Sequence, residues 1–151
     1  MADTLSQTDK QDSVKTIVND TIIRVRYAET DKMGVVYNGE YLTYFEVGRT
    51  ELMRSKGLPY TEFEKAGYIL PLIESFIKYR KSAFYDDLLT VRASLSTERR
   101  AVVKFEYNIL RDNTTIATGY TVHSFVNSET GRPVKPPKIF TDILQASESS
   151  D

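Results

Sequence analysis

The chain is 151 residues long, 40% hydrophobic and 27% charged, with a formal net charge of −1. It has no cysteine and a single histidine, His123, which excludes disulfides, thiol chemistry, a cysteine-based zinc site and any two-histidine metal site. It shows no clustered basic face and no apolar run near the ~18 residues of a membrane span. The expectation is therefore one soluble, cytoplasmic domain that binds no nucleic acid and spans no membrane.

Residues 1–19 are polar with little periodicity and read as a loose tail, as do residues 146–151; residues 20–145 read as the folded domain. The ordered part begins at Ile22–Tyr27, where Ile23, Val25 and Tyr27 alternate with Arg24 and Arg26 as in a half-buried strand. An acidic loop with Asp31 and Gly34 leads into the longest helical pattern, Tyr41 to Lys56. Wound at ~100° per residue, Tyr41, Leu42, Tyr44, Phe45, Gly48, Leu52 and Met53 fall on one half of that helix. Gly48 costs about 1 kcal/mol against alanine there, which predicts a sheet passing close to the helix backbone. Arg49 lies three residues from Glu46 and is placed to pair with it. Asn38 or Gly39 suits the N-cap, Glu40 the first turn, and Gly57 followed by Pro59 the C-terminus.

After the helix, Tyr60 to Ala66 forms a short helical turn ended by Gly67. From Ile69 the hydrophobic period becomes two. One strand carries Ile73, Ser75, Ile77 and Tyr79 on a face, and the next carries Leu89, Val91, Ala93 and Leu95. Val103, Phe105, Tyr107 and Ile109 mark the third of these strands and Ile116, Tyr120 and Val122 the fourth, which places His123 on a polar face. Turns near Arg99 and at Asp112-Asn113 make neighbouring strands antiparallel. Gly131, Pro133, Pro136 and Pro137 end the sheet, and Ile139 to Leu144 suits a closing helix. The class is α+β, a curved antiparallel sheet of about five strands wrapped around one long central helix. Such wrapping leaves an exposed edge that a second copy can cover.

Chemistry is expected at the start of the long helix. The first N–H groups of a helix have no partner within it, and a carboxylate beside such donors suits attack on an activated carbonyl. Asp31 is that carboxylate. Nothing brings His123, Ser124 and Asp142 together, so no serine triad is expected.

Arg26-Tyr27, Thr30-Asp31-x-x-Gly34-Val35-Val36-Tyr37, Tyr41-Leu42, Tyr44-Phe45-Glu46 and Arg49-x-Glu51 resemble the hotdog-fold acyl-CoA thioesterases of the 4-hydroxybenzoyl-CoA thioesterase-like group. Glu74-x-x-x-x-Tyr79, Ala83-x-Tyr85-Asp86-Asp87-x-Leu89-x-Val91 and Gly131-Arg132-Pro133-x-x-Pro136 extend the resemblance to about Ile22–Leu144. It implies a hotdog fold, hydrolysis of an acyl-CoA to free acid and CoA, no metal, no cofactor apart from the substrate's own coenzyme A, and a homodimer or dimer of dimers. Asp31 matches the family's catalytic aspartate, as nucleophile or as general base on water. The amides around Val36, Tyr37, Asn38 and Gly39 match its carbonyl-polarising donors. A branch linked to the Tol-Pal system has histidine where this chain has Asn38, so that branch's histidine-assisted chemistry and its substrate do not carry over. The phosphates of CoA call for local cations, and two clusters offer them: Arg99, Arg100 and Lys104, and Lys135 with Lys138. The competing readings are a non-catalytic acyl-CoA-binding hotdog domain and a hotdog dehydratase or hydratase. Release of free thiol from CoA esters separates the first reading from both.

Overall fold

A computed structural model of the chain describes residues 14–149. In chain order these are β1 (Thr16–Arg24), α1 (Glu40–Ser55), α2 (Tyr60–Lys65), β2 (Tyr68–Ile69), β3 (Leu72–Tyr79), β4 (Leu88–Ser96), β5 (Val102–Arg111), β6 (Thr114–Ser124), β7 (Val126–Asn127) and α3 (Lys138–Ser149). Five strands make one antiparallel sheet in the order β1-β4-β5-β6-β3, while β2 and β7 pair separately. The sheet wraps α1, which is the hotdog arrangement. Among the described residues no helix is long and apolar enough to cross a membrane.

The wrapping follows from the alternation. Leu89, Val91, Ala93 and Leu95 of β4 and Val103, Phe105, Tyr107 and Ile109 of β5 all point inward and are buried. Against them α1 sets Tyr41, Tyr44, Phe45, Gly48, Leu52 and Met53, with the Phe45 ring stacked 4.1 Å from that of Tyr107. Leu42, at the border of that face, stays 37% exposed. Gly48 lies where expected: a Cβ there would stand 2.7 Å from Val91 Cγ1. The helix closes at Gly57, whose φ is +87°. The Gly57 N–H donates to Arg54 O and the Leu58 N–H to Met53 O, the paired bonds of a Schellman ending. The single-helix description is approximate, since α2 and α3 pack their own aromatic cluster through Phe63 and Phe140, joined by Phe125.

Four expectations need correction. The first strand starts at Thr16, not Ile22, so residues 16–19 are not tail; residues 1–13 lie outside the described residues. Asn19, Asp20 and Thr21 hid the strand because it is an edge, held on its outer side by the Asp20–Arg92 ion pair at 2.8 Å. That guanidinium's hydrogen bonds hold the Asp20 carboxyl below its ordinary range. Tyr27 does not face the core but is 77% exposed, because the chain leaves the sheet after Arg24 and turns through a short 3-10 segment at Tyr27–Glu29. The closing helix runs to Ser149, past the Leu144 end read from the sequence and into the stretch read as tail.

The fourth correction concerns His123, which is buried at 1% exposure rather than on a polar face. The β5–β6 pairing shifts register between Ile109 and Leu110, which face Ala117 and Thr115, so Ile116 is an unpaired bulge residue. A bulge inverts the alternation beyond it. Ile116 and Ala117 are therefore both buried, and Thr121 and His123 follow them inward.

Candidate active site

The chain between the 3-10 turn and α1 is folded by its own backbone. Asp31 N–H donates to Val35 O at 2.8 Å, Gly34 N–H donates to Asp31 O at 3.0 Å, and Thr30 bridges Val36. Gly34 has φ +80°, which the tight turn requires and other residues resist. Beneath the turn lies Glu29, only 7% exposed. Its Oε1 accepts from Arg26 N–H at 2.8 Å and from the Tyr44 hydroxyl at 3.0 Å, and its Oε2 from Arg26 Nε at 3.1 Å. The Glu29 carbonyl also accepts the Tyr37 N–H. One buried carboxylate thus ties the loop to α1. Burial first, and then the bond to Glu29, pushes the Tyr44 phenol up. Sequence reasoning missed Glu29; the Arg26-x-x-Glu29 spacing of a capping box was its available signal.

Asp31 sits exposed on the turn. Its Oδ1 accepts from Met33 N–H at 2.8 Å and from Val35 N–H at 3.4 Å. Its Oδ2 has no partner among the described residues. The four amides expected as donors divide evenly. Val36 N–H is committed to Ala83 O and Tyr37 N–H to Glu29 O. Asn38 and Gly39 N–H have no acceptor among the described residues, and Gly39, the N-cap of α1, has no side-chain cap bond. A Cβ on Gly39 would meet the Tyr37 ring at 2.9 Å, so glycine lets that ring, 59% exposed, close over the turn.

Beside these amides is a cleft of about 200 Å³ walled by Val36, Asn38, Tyr41, Tyr79, Arg80 and Lys81. The Tyr79 hydroxyl donates to Asn38 O at 3.2 Å, and the Tyr79 ring meets Tyr41 edge-on at 5.4 Å. The cations named from sequence lie elsewhere. Arg99, Arg100 and Lys104 border a separate cavity of about 230 Å³ between the β4–β5 turn and α3. There Arg100 pairs with Glu98 at 2.9 Å, and Lys104 lies 3.7 Å from Glu106 and 4.4 Å from the centre of the Tyr120 ring. Lys138 pairs with Asp142 at 3.1 Å, and Lys135 is exposed. The register sets Thr16 against Ser96 and Arg24 against Leu88, so the Arg99 turn and the Asp31 loop occupy opposite ends of the sheet. At the rise of an antiparallel strand they are roughly 27 Å apart within one protomer.

The inner face of the sheet holds a second polar assembly. His123 Nδ1 lies 3.0 Å from Leu70 O and Nε2 lies 2.9 Å from Thr121 Oγ1, while the Tyr107 hydroxyl lies 2.6 Å from the same Oγ1. A carbonyl only accepts, so Nδ1 carries the proton, Nε2 accepts from Thr121, and Thr121 accepts from Tyr107. The Arg49 guanidinium stands beside the Tyr107 hydroxyl; among the described ion pairs Arg49 has none with Glu46, the partner expected from spacing. Burial pushes the His123 imidazole down from 6.5 to about 4. This assembly lies toward the Leu72 end of the sheet, remote from Asp31. Among the described residues no group of three or more His, Asp or Glu side chains could hold a metal ion.

A carboxylate and two uncommitted backbone donors at the start of a sheet-wrapped helix are chemically suited to attack on an activated carbonyl. The chain belongs to the thioesterase-like superfamily, whose family model matches residues 25–146. It is 30% identical over 117 residues to the acyl-CoA thioesterase YbgC of Haemophilus influenzae, covering 77% of this chain and 86% of that one. Among solved structures, a DHNA-CoA thioesterase from Staphylococcus aureus is 33% identical with a TM-score of 0.80, covering 88% of this chain and 90% of that one. The hypothetical protein AQ1494 from Aquifex aeolicus is 32% identical with a TM-score of 0.79, covering 83% and 98%.

Proposed function

We propose that the protein hydrolyses an acyl-CoA thioester to the free acid and CoA. The observation that carries this reading is the pair of uncommitted N–H groups of Asn38 and Gly39 at the start of α1, next to the Asp31 turn. In hydrolysis, the carbonyl oxygen of the thioester gathers negative charge as it is attacked. Fixed amide dipoles stabilise that charge without having to reorganise. Asp31 Oδ2 supplies the other half, either taking a proton from the attacking water or attacking the carbonyl itself before water releases the acid. Oδ1 stays in the turn and aims it.

A second copy completes the assembly in this reading by pairing along the open edge of β3. Leu72, Ile73, Phe76 and Tyr79 on that strand are 49–56% exposed, and its outer backbone edge, unpaired among the described residues, is a template for a second strand. Antiparallel pairing about a two-fold axis would bring the Leu72 end of one copy beside the Tyr79 end of the other. The cations at the far end of the second copy, Arg99, Arg100 and Lys104 or Lys135 and Lys138, would then approach the Asp31 end and could hold the CoA phosphates.

The test is thiol release from acyl-CoA esters by the intact protein and by Asp31→Asn and Asp31→Ala. Asn keeps a carbonyl oxygen for the Met33 N–H bond but is neither base nor nucleophile, so turnover should fall ~10²- to 10⁴-fold with the fold retained. Ala also removes the turn bond and should be the less stable of the two. Near-normal turnover by a folded Asp31→Asn protein overturns the mechanism, and absence of thiol release from any ester overturns the function.

A further inference from the structure

The cleft beside the free amides has a charge pattern that thioester hydrolysis alone does not require. Of its lining side chains, Arg80 and Lys81 are cationic and none is acidic. Neither has an ion-pair partner among the described residues, a state they share with Arg99 and Lys135 but not with Arg100, Lys104 and Lys138, which are beside carboxylates. Their backbone is held firmly. Arg80 and Lys81 N–H both donate to Ile116 O at the bulge, at 2.9 and 3.1 Å, and Ser82 O accepts from Arg111 Nη1 at 3.1 Å. Two residues on, Ala83 O accepts from Val36 N–H, so this segment and the helix-start turn are fastened directly to each other. Two exposed cations are therefore carried on a fixed stretch of backbone beside Asn38, in a chain whose net charge is −1.

We infer that Arg80 and Lys81 recognise an anionic group on the acyl moiety, so that the preferred substrate is a short acyl-CoA whose acyl chain ends in a carboxylate. This rests on the thioesterase reading and adds the substrate class. The position favours the acyl moiety over CoA as the source of the anion. Asn38 and Arg80 line one cleft, so a carbonyl seated at the Asn38 and Gly39 amides presents its acyl group to the space that Arg80 borders. The CoA phosphates stand beyond the pantetheine arm, a span comparable to about four extended residues, ~14 Å. Within the cleft the half-exposed Tyr79 ring offers an apolar wall, which suits a few methylenes or one aromatic ring. The paired cations at its end suit a carboxylate through charge-assisted hydrogen bonds.

The experiment compares kcat/KM for glutaryl-CoA and pentanoyl-CoA, which match in chain length and differ in the terminal carboxylate. The intact full-length chain should prefer glutaryl-CoA at least tenfold. In Arg80→Glu/Lys81→Glu, and more mildly in Arg80→Gln/Lys81→Gln, that ratio should fall tenfold or more, with thermal melts checking that each variant folds. The preference should persist with S-glutaryl- and S-pentanoyl-pantetheine, which lack the phosphates. Equal use of the two CoA esters, a ratio unmoved by the substitutions, or a preference that vanishes with the pantetheine esters overturns the inference while leaving the thioesterase intact. No hydrolysis of any ester overturns both.

Discussion

His123 is neutral because its surroundings allow one proton arrangement and no charge. Burial disfavours the charged form first, Leu70 O fixes the proton on Nδ1, Thr121 donates to Nε2, and the Arg49 charge opposes a second positive charge. Above pH 6.5 the imidazole is neutral folded or unfolded and contributes no pH dependence. Between 6.5 and about 4 the unfolded chain takes up a proton that the folded chain refuses, so stability falls as the pH falls. Below that window both states are protonated and the loss is complete, up to about 3 kcal/mol. Urea midpoints measured across the window should show this decline, and His123→Gln, though less stable overall, should show a flatter one. An equal decline in both proteins would place the titrating group elsewhere. Asp31 presents the opposite case, an exposed residue whose proposed role rests on the free Oδ2 and not on what it holds together.

At the scale of elements, α1 and the sheet approach as closely as their side chains permit, and Gly48 is the point of contact. A side chain there meets Val91 at once and Ala93 and Tyr107 just beyond. Gly48→Leu should therefore lose about 1 to 3 kcal/mol despite its better helix propensity. A melting temperature unchanged or raised in that variant would contradict the packing. Gly119 has the same role where β6 passes β3, since a Cβ there would fall on the Phe76 carbonyl and the Phe45 ring. Gly48 could be read from its place in an apolar helical face, and the inward faces of β4 and β5 from an uninterrupted period of two. The facing of β6 could not, because the single unpaired residue at Ile116 reverses every later side chain without leaving a mark in composition. The site divides in the same way. Asp31, Asn38 and Gly39 are local in sequence, and the Thr30-Asp31-x-x-Gly34-Val35-Val36-Tyr37 run that leads to the amides carries a motif. Arg80 and Lys81 reach the site only because the crossover from β3 to β4 lies against residues 35–38, a long-range contact that periodicity does not encode.

For the whole molecule the unresolved demand is the edge of β3, bonded to β6 on one side and open on the other among the described residues. The protein should therefore be at least dimeric, with no stable monomer at micromolar concentration by sedimentation or light scattering. A species of 17.3 kDa that kept full turnover would contradict that expectation. The interior assembly from Arg49 through Tyr107, Thr121 and His123 to Leu70 bears on how the chain reaches this fold. Its members come from α1, β5, β6 and the segment before β3. Sliding β6 by two residues against β5 would keep every apolar side chain facing inward, so hydrophobic burial alone discriminates poorly against that mispaired state. The slide would carry Thr121 and His123 away from Tyr107 and Leu70 and leave buried polar atoms without partners, each at a cost of about 1 to 3 kcal/mol. The network therefore penalises the decoy pairings that greasy side chains tolerate, and its contribution lies less in the depth of the native state than in the height at which its nearest imitators are held.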